Sequence, residues 1–339
     1  MTGHKRWTQR PPGSNWGDFG EDDQLGRLNL IGRQERLAAI REVQEGITFS
    51  LSLPLDVPRQ PVLNPRRRPP YLEPAMQNGA PYFNYPLGKI LPGATDVISD
   101  DRVTISPQYS TQWDALGHVG SLFDADGDGV AEAVGYNGFA VAPGEVATLD
   151  DYHGAQALSV AAPARHGVQG RGVLVDLCHH FGTGRRHIGY DDLMKAIQAD
   201  RVEVRRGDIL CLHTGFARLA ANLAAGEDHQ TLRSSCAVLD GTDAKLLEWI
   251  AASGIAAIAA DNYAVEERRQ ALPQGQTGPL LPLHEHCLFK LGIPLGEMWY
   301  LSDLAGWLRQ HGRHAFLLTA PPLHLPGAVG SPANPIATV

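Results

Sequence analysis

Three stretches of this 339-residue sequence group side chains able to ligate a metal or move a proton. The first, residues 108–118, reads QYSTQWDALGH. Asp114 and His118 stand four apart in a glycine-containing stretch, so both can reach one ion, and oxygen with imidazole suits zinc, manganese or iron(II). Taken alone, such a pair is more often a carboxylate hydrogen-bonded to an imidazole. The second, residues 281–297, reads LPLHEHCLFKLGIPLGE. Residues 287–291 are apolar and expected to be helical, so His284 at the helix entry and Glu297 just beyond it can converge. One of His284 and His286 would then be an exposed helix-start residue. The third is Cys178-His179-His180, whose alternative is a turn with a solvated imidazole.

A fourth group, residues 124–129 (DADGDG), copies the start of a calcium loop, with Asp124, Asp126 and Asp128 at loop positions one, three and five and Gly129 at six. The twelfth position, where a bidentate glutamate belongs, is Gly135, and Glu132 falls at nine. A solvated acidic turn is the preferred reading and a calcium site the alternative. The sequence contains no phosphate-binding P-loop, no G-x-S-x-G elbow and no G-x-G-x-x-G after a strand.

The elements that must position these groups follow from periodicity. Residues 34–45 have helical spacing and stop at Gly46, and residues 47–55 alternate as a strand. Residues 172–177, 208–214 and 255–260 read as near-continuous apolar strands, separated by helices over 190–199 and 243–253. That alternation implies an α/β fold whose covered sheet contains parallel pairs. Polar residues just beyond such strands tend to face a cleft, which puts forward Asp176, His213 and Asp261. Their other reading is as caps and turn formers. Residues 56–93 are dense in proline, glycine and aromatics. Tyr71, Tyr82, Phe83 and Tyr85 suggest a lid or pocket wall, and the run Arg66-Arg67-Arg68 a solvated loop, with an anion-binding role as its alternative. The expected organisation is one domain over 1–339, with residues 1–33 as an extended arm.

Composition narrows the function. A net charge of −8 argues against nucleic acid as the partner. No apolar stretch is long enough for a bilayer, and the first twenty residues lack a signal-peptide core. Cys178, Cys211, Cys236 and Cys287 form no CxxC pair and read as reduced core thiols, so a cytoplasmic location is expected.

Residues 108–118 resemble the H-x-G-T-H-x-D-x-P-x-H motif of the cyclase family that holds kynurenine formamidase and isatin hydrolase, in its larger branch with a QWDALGH phrase. The likeness extends to SNWGDFGEDDQLGRLN (14–29), GRGVLVDL (170–177), GDILCLHTGF (207–216), IAAIAADNYAVE (255–266) and LPLHEHCLFKLGIPLGEMWYLSDLA (281–305). It implies a mixed sheet with helices in the kynurenine formamidase-like, swivelling β/β/α arrangement, and a homo-oligomer. It further implies a metal-dependent hydrolase opening an amide or lactam-like ring. In two-metal members the first two motif histidines and the aspartate hold one ion. The aspartate, the last motif histidine, and a later histidine and glutamate hold the other. The second set maps onto Asp114, His118, His284 and Glu297. In the first set Gln108 and Gln112 stand where both histidines belong.

The leading expectation is therefore one zinc or manganese ion on Asp114, His118, His284 and Glu297. Asp114, His118 or Glu297 would handle the proton. Gln108, Gln112, Trp113 and Asp261 would contact a small cyclic or aromatic substrate. A metal-free cyclase or dehydratase using Asp114 and His118 as acid and base, and an inactive small-molecule binder, are the alternatives.

Overall fold

The computed structural model describes residues 6–223 and 229–339. A nine-stranded mixed sheet runs through them: β1 (Thr48–Ser50), β2 (Gln112–Asp114), β3 (Gln169–Asp176), β4 (Ile209–His213), β5 (Ala257–Ala260), β6 (Leu295–Glu297), β7 (Ala315–Thr319), β8 (Gly330–Pro332) and β9 (Ile336–Thr338). Their spatial order is β1-β9-β7-β3-β4-β5-β6-β2-β8. The four central strands β3 to β6 are mutually parallel, and every other pairing is antiparallel.

The parallel strands are buried on both faces, as their unbroken apolar runs require. Val173, Val175, Leu210, Leu212 and Ile258 point into one core, while Leu174, Ile209, Cys211, Ala257 and Ala259 point into another. That is the period-two alternation of a strand. The first core packs against α1 (Tyr190–Asp200) and α2 (Ala244–Ser253), and the second against α3 (Ser302–Gln310). Asp243 caps two helices at once. It accepts from Lys245 N at 2.9 Å at the start of α2, and from Tyr190 N at 2.7 Å at the start of α1. Gly189 is needed there, because a Cβ would sit 2.5 Å from that carboxylate.

The N-terminal arm docks behind the 281–297 segment. Trp16, fully buried, donates its indole N–H to Phe289 O at 2.8 Å, and Asn15 Nδ2 donates to Leu291 O at 2.9 Å. Gly26 lies so close to Gly292 that a Cβ would fall 2.1 Å from its carbonyl oxygen. The arm thereby fixes the one-turn helix Pro282–His284 and the π-helix Glu285–Leu291 that follows it.

Three expectations change. The helix over 34–45 closes at Arg33–Ile40. The strand over 47–55 is cut to β1, because Leu51 N and O turn to Pro335 and Tyr300. Residues 56–93 are not wholly irregular: Tyr71–Pro74 pairs with Asp101–Thr104, Met76–Gln77 with Ala80–Pro81, and Tyr85–Pro86 with Val97–Ile98. None of the helices among the described residues is long and apolar enough to cross a membrane.

Candidate metal centre

Strand β2 lies between β6 and β8, with Gln112 opposite Glu297 and Trp113 opposite Gly296. Residues directly opposite share a face, and alternate residues on one strand do too. Gln112, Asp114 and Glu297 therefore point the same way, and Trp113 points the other. The Gln112 amide nitrogen donates to Asp114 Oδ1 at 3.1 Å and to Glu297 Oε2 at 3.0 Å. His284 comes in from the helix turn, with Nε2 3.4 Å from Glu297 Oε1. Donor atoms of Asp114, His284 and Glu297 all lie within 4.8 Å of one another, in a site where each residue is at most 2% exposed.

His118 stands at the edge of this trio, its Nε2 3.9 Å from Asp114 Oδ2. Its Nδ1 faces the Gln108 amide nitrogen at 3.3 Å. Gln108 is outside β2 and reaches the site only through His118. It rests on Gly330 of β8, where a Cβ would come 2.4 Å from its amide.

Sequence reasoning missed Glu266. Its carboxylate accepts from Leu283 N at 3.0 Å, His284 N at 2.8 Å and His284 Nδ1 at 2.8 Å. This fixes the imidazole with Nε2 facing the other acids, the usual support for a metal-ligating histidine. No local pattern marks Glu266, which lies 18 residues before His284. The backbone signals it instead: Ala264 and Val265 just before it, and Met298 just after Glu297, hold positive φ of 70°, 54° and 57°. Such strain at a β-branched residue costs on the order of 1–2 kcal/mol and concentrates where side chains must be aimed. Removing the charge with Glu266→Gln should weaken divalent-metal affinity by about 10- to 100-fold. Competition with a chromophoric chelator measures this, and an unchanged affinity would mean His284 is oriented by packing alone.

The electrostatics are unbalanced. Three buried carboxylates, Asp114, Glu266 and Glu297, surround one imidazole. Burial disfavours charge on His284, but hydrogen bonds to Glu266 and Glu297 outweigh it and raise its pKa to about 10. Burial and then the charge of Glu297 hold Asp114 well above the ordinary carboxylate range. Asp114 Oδ2 is shielded from solvent and has no hydrogen-bond partner among the described residues. An imidazole nitrogen and a second carboxylate converging on the orphaned Asp114 oxygen form a donor set that fits a divalent cation. Burial lowers His118 to about 4, so that its ring is neutral near pH 7.

A cavity of about 740 Å³ opens over the centre, reached by His118, His284 and Glu297 and walled by residues 63–67 and by Tyr263. The wall is the proline–arginine part of the long loop. The aromatic part is elsewhere: Tyr71 is 63% and Phe83 54% exposed, and Tyr82 packs against Tyr85 with the rings tilted by 43°.

Two expected substrate contacts are corrected. Trp113 is 3% exposed, packs edge-on against Trp299 at 5.0 Å and donates to Ala320 O at 2.7 Å. Strand alternation turns it into the core behind the site. Asp261 is fully buried and spends its oxygens on Thr214 N, Thr214 Oγ1 and Gly215 N at 2.6–2.7 Å. It organises the turn after β4.

Asp176 and His213 join Asp261 in a cluster of their own. His213 Nδ1 meets Asp176 Oδ1 at 2.7 Å and Nε2 meets Ser302 Oγ at 3.1 Å. This chain has the order of a hydrolytic triad, but Ser302 is 5% exposed and Arg309 takes the second Asp176 oxygen at 2.6 Å. His180 pairs with Asp200 at 2.8 Å, and His286 meets Leu247 O at 2.9 Å, so neither reaches the centre. Asp124, Asp126, Asp128 and Glu132 do converge. Asp124 already accepts from the amides of Gly127, Asp128 and Gly129, Asp126 from Asp128, and Asp128 from Val130. They close their own turn, onto which Thr8 and Gln9 of the arm dock.

The Cyclase family model, described as "Putative cyclase", matches residues 49–267. A crystal structure described as a novel cyclase is 32% identical, covers 96% of this chain and 99% of its own, and superposes with a TM-score of 0.75. The chain belongs to the cyclase family. The family's fold extends to more distant structures. Isatin hydrolase A from Labrenzia aggregata, bound to benzyl benzoate, is 16% identical with a TM-score of 0.54, covering 91% of this chain and 99% of that one. Isatin hydrolase A from Ralstonia solanacearum is 14% identical with a TM-score of 0.52, covering 90% and 97%. No curated protein matches the chain.

Proposed function

We propose that this cyclase-family protein is a metal-dependent hydrolase that opens a cyclic or aryl amide, or a related lactone bond. The observation that carries the metal is the orphaned Asp114 Oδ2 among Glu297, His284 and the supporting Glu266. The substrate class rests on the shared fold with proteins named isatin hydrolases, one of them bound to the product analogue thioisatinate. A cavity of about 740 Å³ is ample for a small ring.

When bound, zinc or manganese supplies Lewis acidity and brings the pKa of its water toward neutrality. Asp114, His284 and Glu297 would hold it, with His118 at the margin. The chain's own groups do the rest. His118, neutral and facing the cavity, holds or releases a proton at Nε2. In the orientation observed the Gln108 amide N–H donates to Nδ1, which leaves the ring proton on Nε2. The reversed amide would accept from Nδ1–H and free the Nε2 lone pair. Gln112 spends both its N–H groups on carboxylates, so it spaces Asp114 from Glu297 and does not polarise substrate.

The test is elemental analysis joined to turnover of a cyclic-amide panel. About one ion per chain, and ring opening lost on chelation and restored by zinc or manganese, is the expected result. Full turnover by the metal-stripped protein would instead assign the reaction to Asp114 and His118 as acid and base. No turnover with metal bound would make the chain a binding protein. Within the hydrolase reading, His118→Ala should lower kcat by about 10²- to 10⁴-fold, the range for a lost proton-transfer group, with the fold retained. A variant with a lowered Tm but normal turnover per folded molecule would make His118 structural.

A further inference from the structure

The cavity over the centre is lined by five arginines, Arg66, Arg67, Arg185, Arg233 and Arg268. Its acids are committed elsewhere. Glu266 and Glu297 face His284, and Glu267 pairs with His187 at 2.7 Å. Among the described residues none of the five guanidinium groups is in an ion pair, although eight other arginines are. Three of them are held in place by backbone oxygens instead. Arg67 donates to Gln108 O at 2.8 Å and lies over the Tyr263 ring at 5.7 Å. Arg185 donates to the carbonyl of Arg233, and Arg233 donates through Nε to Val62 O at 2.8 Å. Arg185 Nε is shielded from solvent with no partner among the described residues.

Several like charges around one cavity repel one another, and an unpaired buried donor adds its own desolvation cost. In a chain of net charge −8 this cluster is not a by-product of a basic composition. A ligand anion would relieve both costs, and guanidinium forks match carboxylate and phosphate oxygens.

We propose that the substrate carries an anionic oxygen group, a carboxylate or a phosphate, which Arg67 and Arg185 recognise while the scissile carbonyl faces Asp114, His284 and Glu297. This rests on the hydrolase reading for the position of the carbonyl. The anion subsite itself does not, because among the described residues none of the five guanidinium groups is hydrogen-bonded to Asp114, His284 or Glu297, although the charge of Arg67 reaches Asp114 and Glu297.

Direct binding tests it. Titration calorimetry compares acetanilide, 4-acetamidobenzoate and 4-acetamidophenyl phosphate on metal-loaded and on chelated protein. The expected result is that at least one anion binds about 10- to 100-fold more tightly than acetanilide in both forms, the span of one or two charge-assisted hydrogen bonds. The tighter of the two anions identifies the source. The advantage should shrink with added salt and vanish in Arg67→Gln/Arg185→Gln, while Arg67→Lys keeps part of it. Should the double variant fail to fold, Arg66→Gln/Arg268→Gln, at two exposed positions, should still lower the anion affinity several-fold. Equal affinities for all three compounds, or an anion preference that survives the arginine changes, would overturn the proposal. A preference seen only with metal present would also overturn it, by placing the anion on the ion. Anion binding without any amide hydrolysis would sustain the subsite and defeat the hydrolase reading.

Discussion

Replacing Asp114 with asparagine should abolish metal binding and lower turnover by on the order of 10³-fold or more, while leaving the metal-free protein at least as stable as before. The two effects have one cause. Asp114 is fully buried, and its Oδ2 has no hydrogen-bond partner among the described residues. A carboxylate so placed offers a cation a strong ligand and, without one, costs stability. The amide is nearly isosteric and can still accept from Gln112 at Oδ1, the bond seen at 3.1 Å. It removes the charge and with it the ion and the activated water. Relief of the uncompensated desolvation is worth about 1–3 kcal/mol, so the chelated variant should melt above the chelated parent. With metal supplied, the order should reverse, because only the parent gains from binding. Melting curves with and without chelator, together with metal content, give all four values. An asparagine variant that keeps its ion and its turnover would remove Asp114 from the centre.

Trp299→Ala should cost about 3–5 kcal/mol of folding free energy, the range for emptying a buried tryptophan site. Trp299 is fully buried one residue past Met298 and backs the strand that carries the site. Its ring stands edge-on to Trp113 at 5.0 Å and its indole N–H donates to Gln112 O at 3.0 Å. Gly296 has no side chain because a Cβ would lie 2.8 Å from that indole nitrogen. Emptying this volume leaves β2 without support on the face opposite Gln112 and Asp114, so metal affinity should fall with stability. Trp299→Phe keeps most of the packing and loses the hydrogen bond, and should cost only about 1–2 kcal/mol. Urea unfolding measures both. A loss below about 1 kcal/mol for the alanine variant would show that the sheet closes over the gap.

Much of the site was legible as residue types at fixed spacing. Asp114, His284 and Glu297 were each marked by a motif phrase, and the structure draws them into one cluster. Even spacing along an extended chain puts Gln112 and Asp114 on one face of β2. The same rule places Trp113 on the other face, where it packs on Trp299 in the core and not on a substrate. Gln108 lies outside the short strand, and its approach through His118 depends on Gly330, more than 200 residues away.

What the chain determines locally is what depends on neighbours in sequence. The apolar runs of β3, β4 and β5, the caps and stops of α1 and α2, and the phrases shared with the cyclase family are of this kind. Three things depend on contacts between distant segments, and no local pattern encodes them. Glu266 supports His284 only because a strained turn at Ala264 and Val265 aims it at the helix entry. Arg67 is held at the cavity by its bond to Gln108 O, 41 residues away in sequence, a contact that the local run of arginines does not encode. Asp176, His213 and Asp261 follow the expected strand ends, yet Asp176 and Ser302 bond to His213, and Asp261 to Thr214 and Gly215, beneath the surface. Sequence places a polar group at the end of a strand, but burial and the partners the fold brings to it determine whether that group meets a ligand or closes a turn.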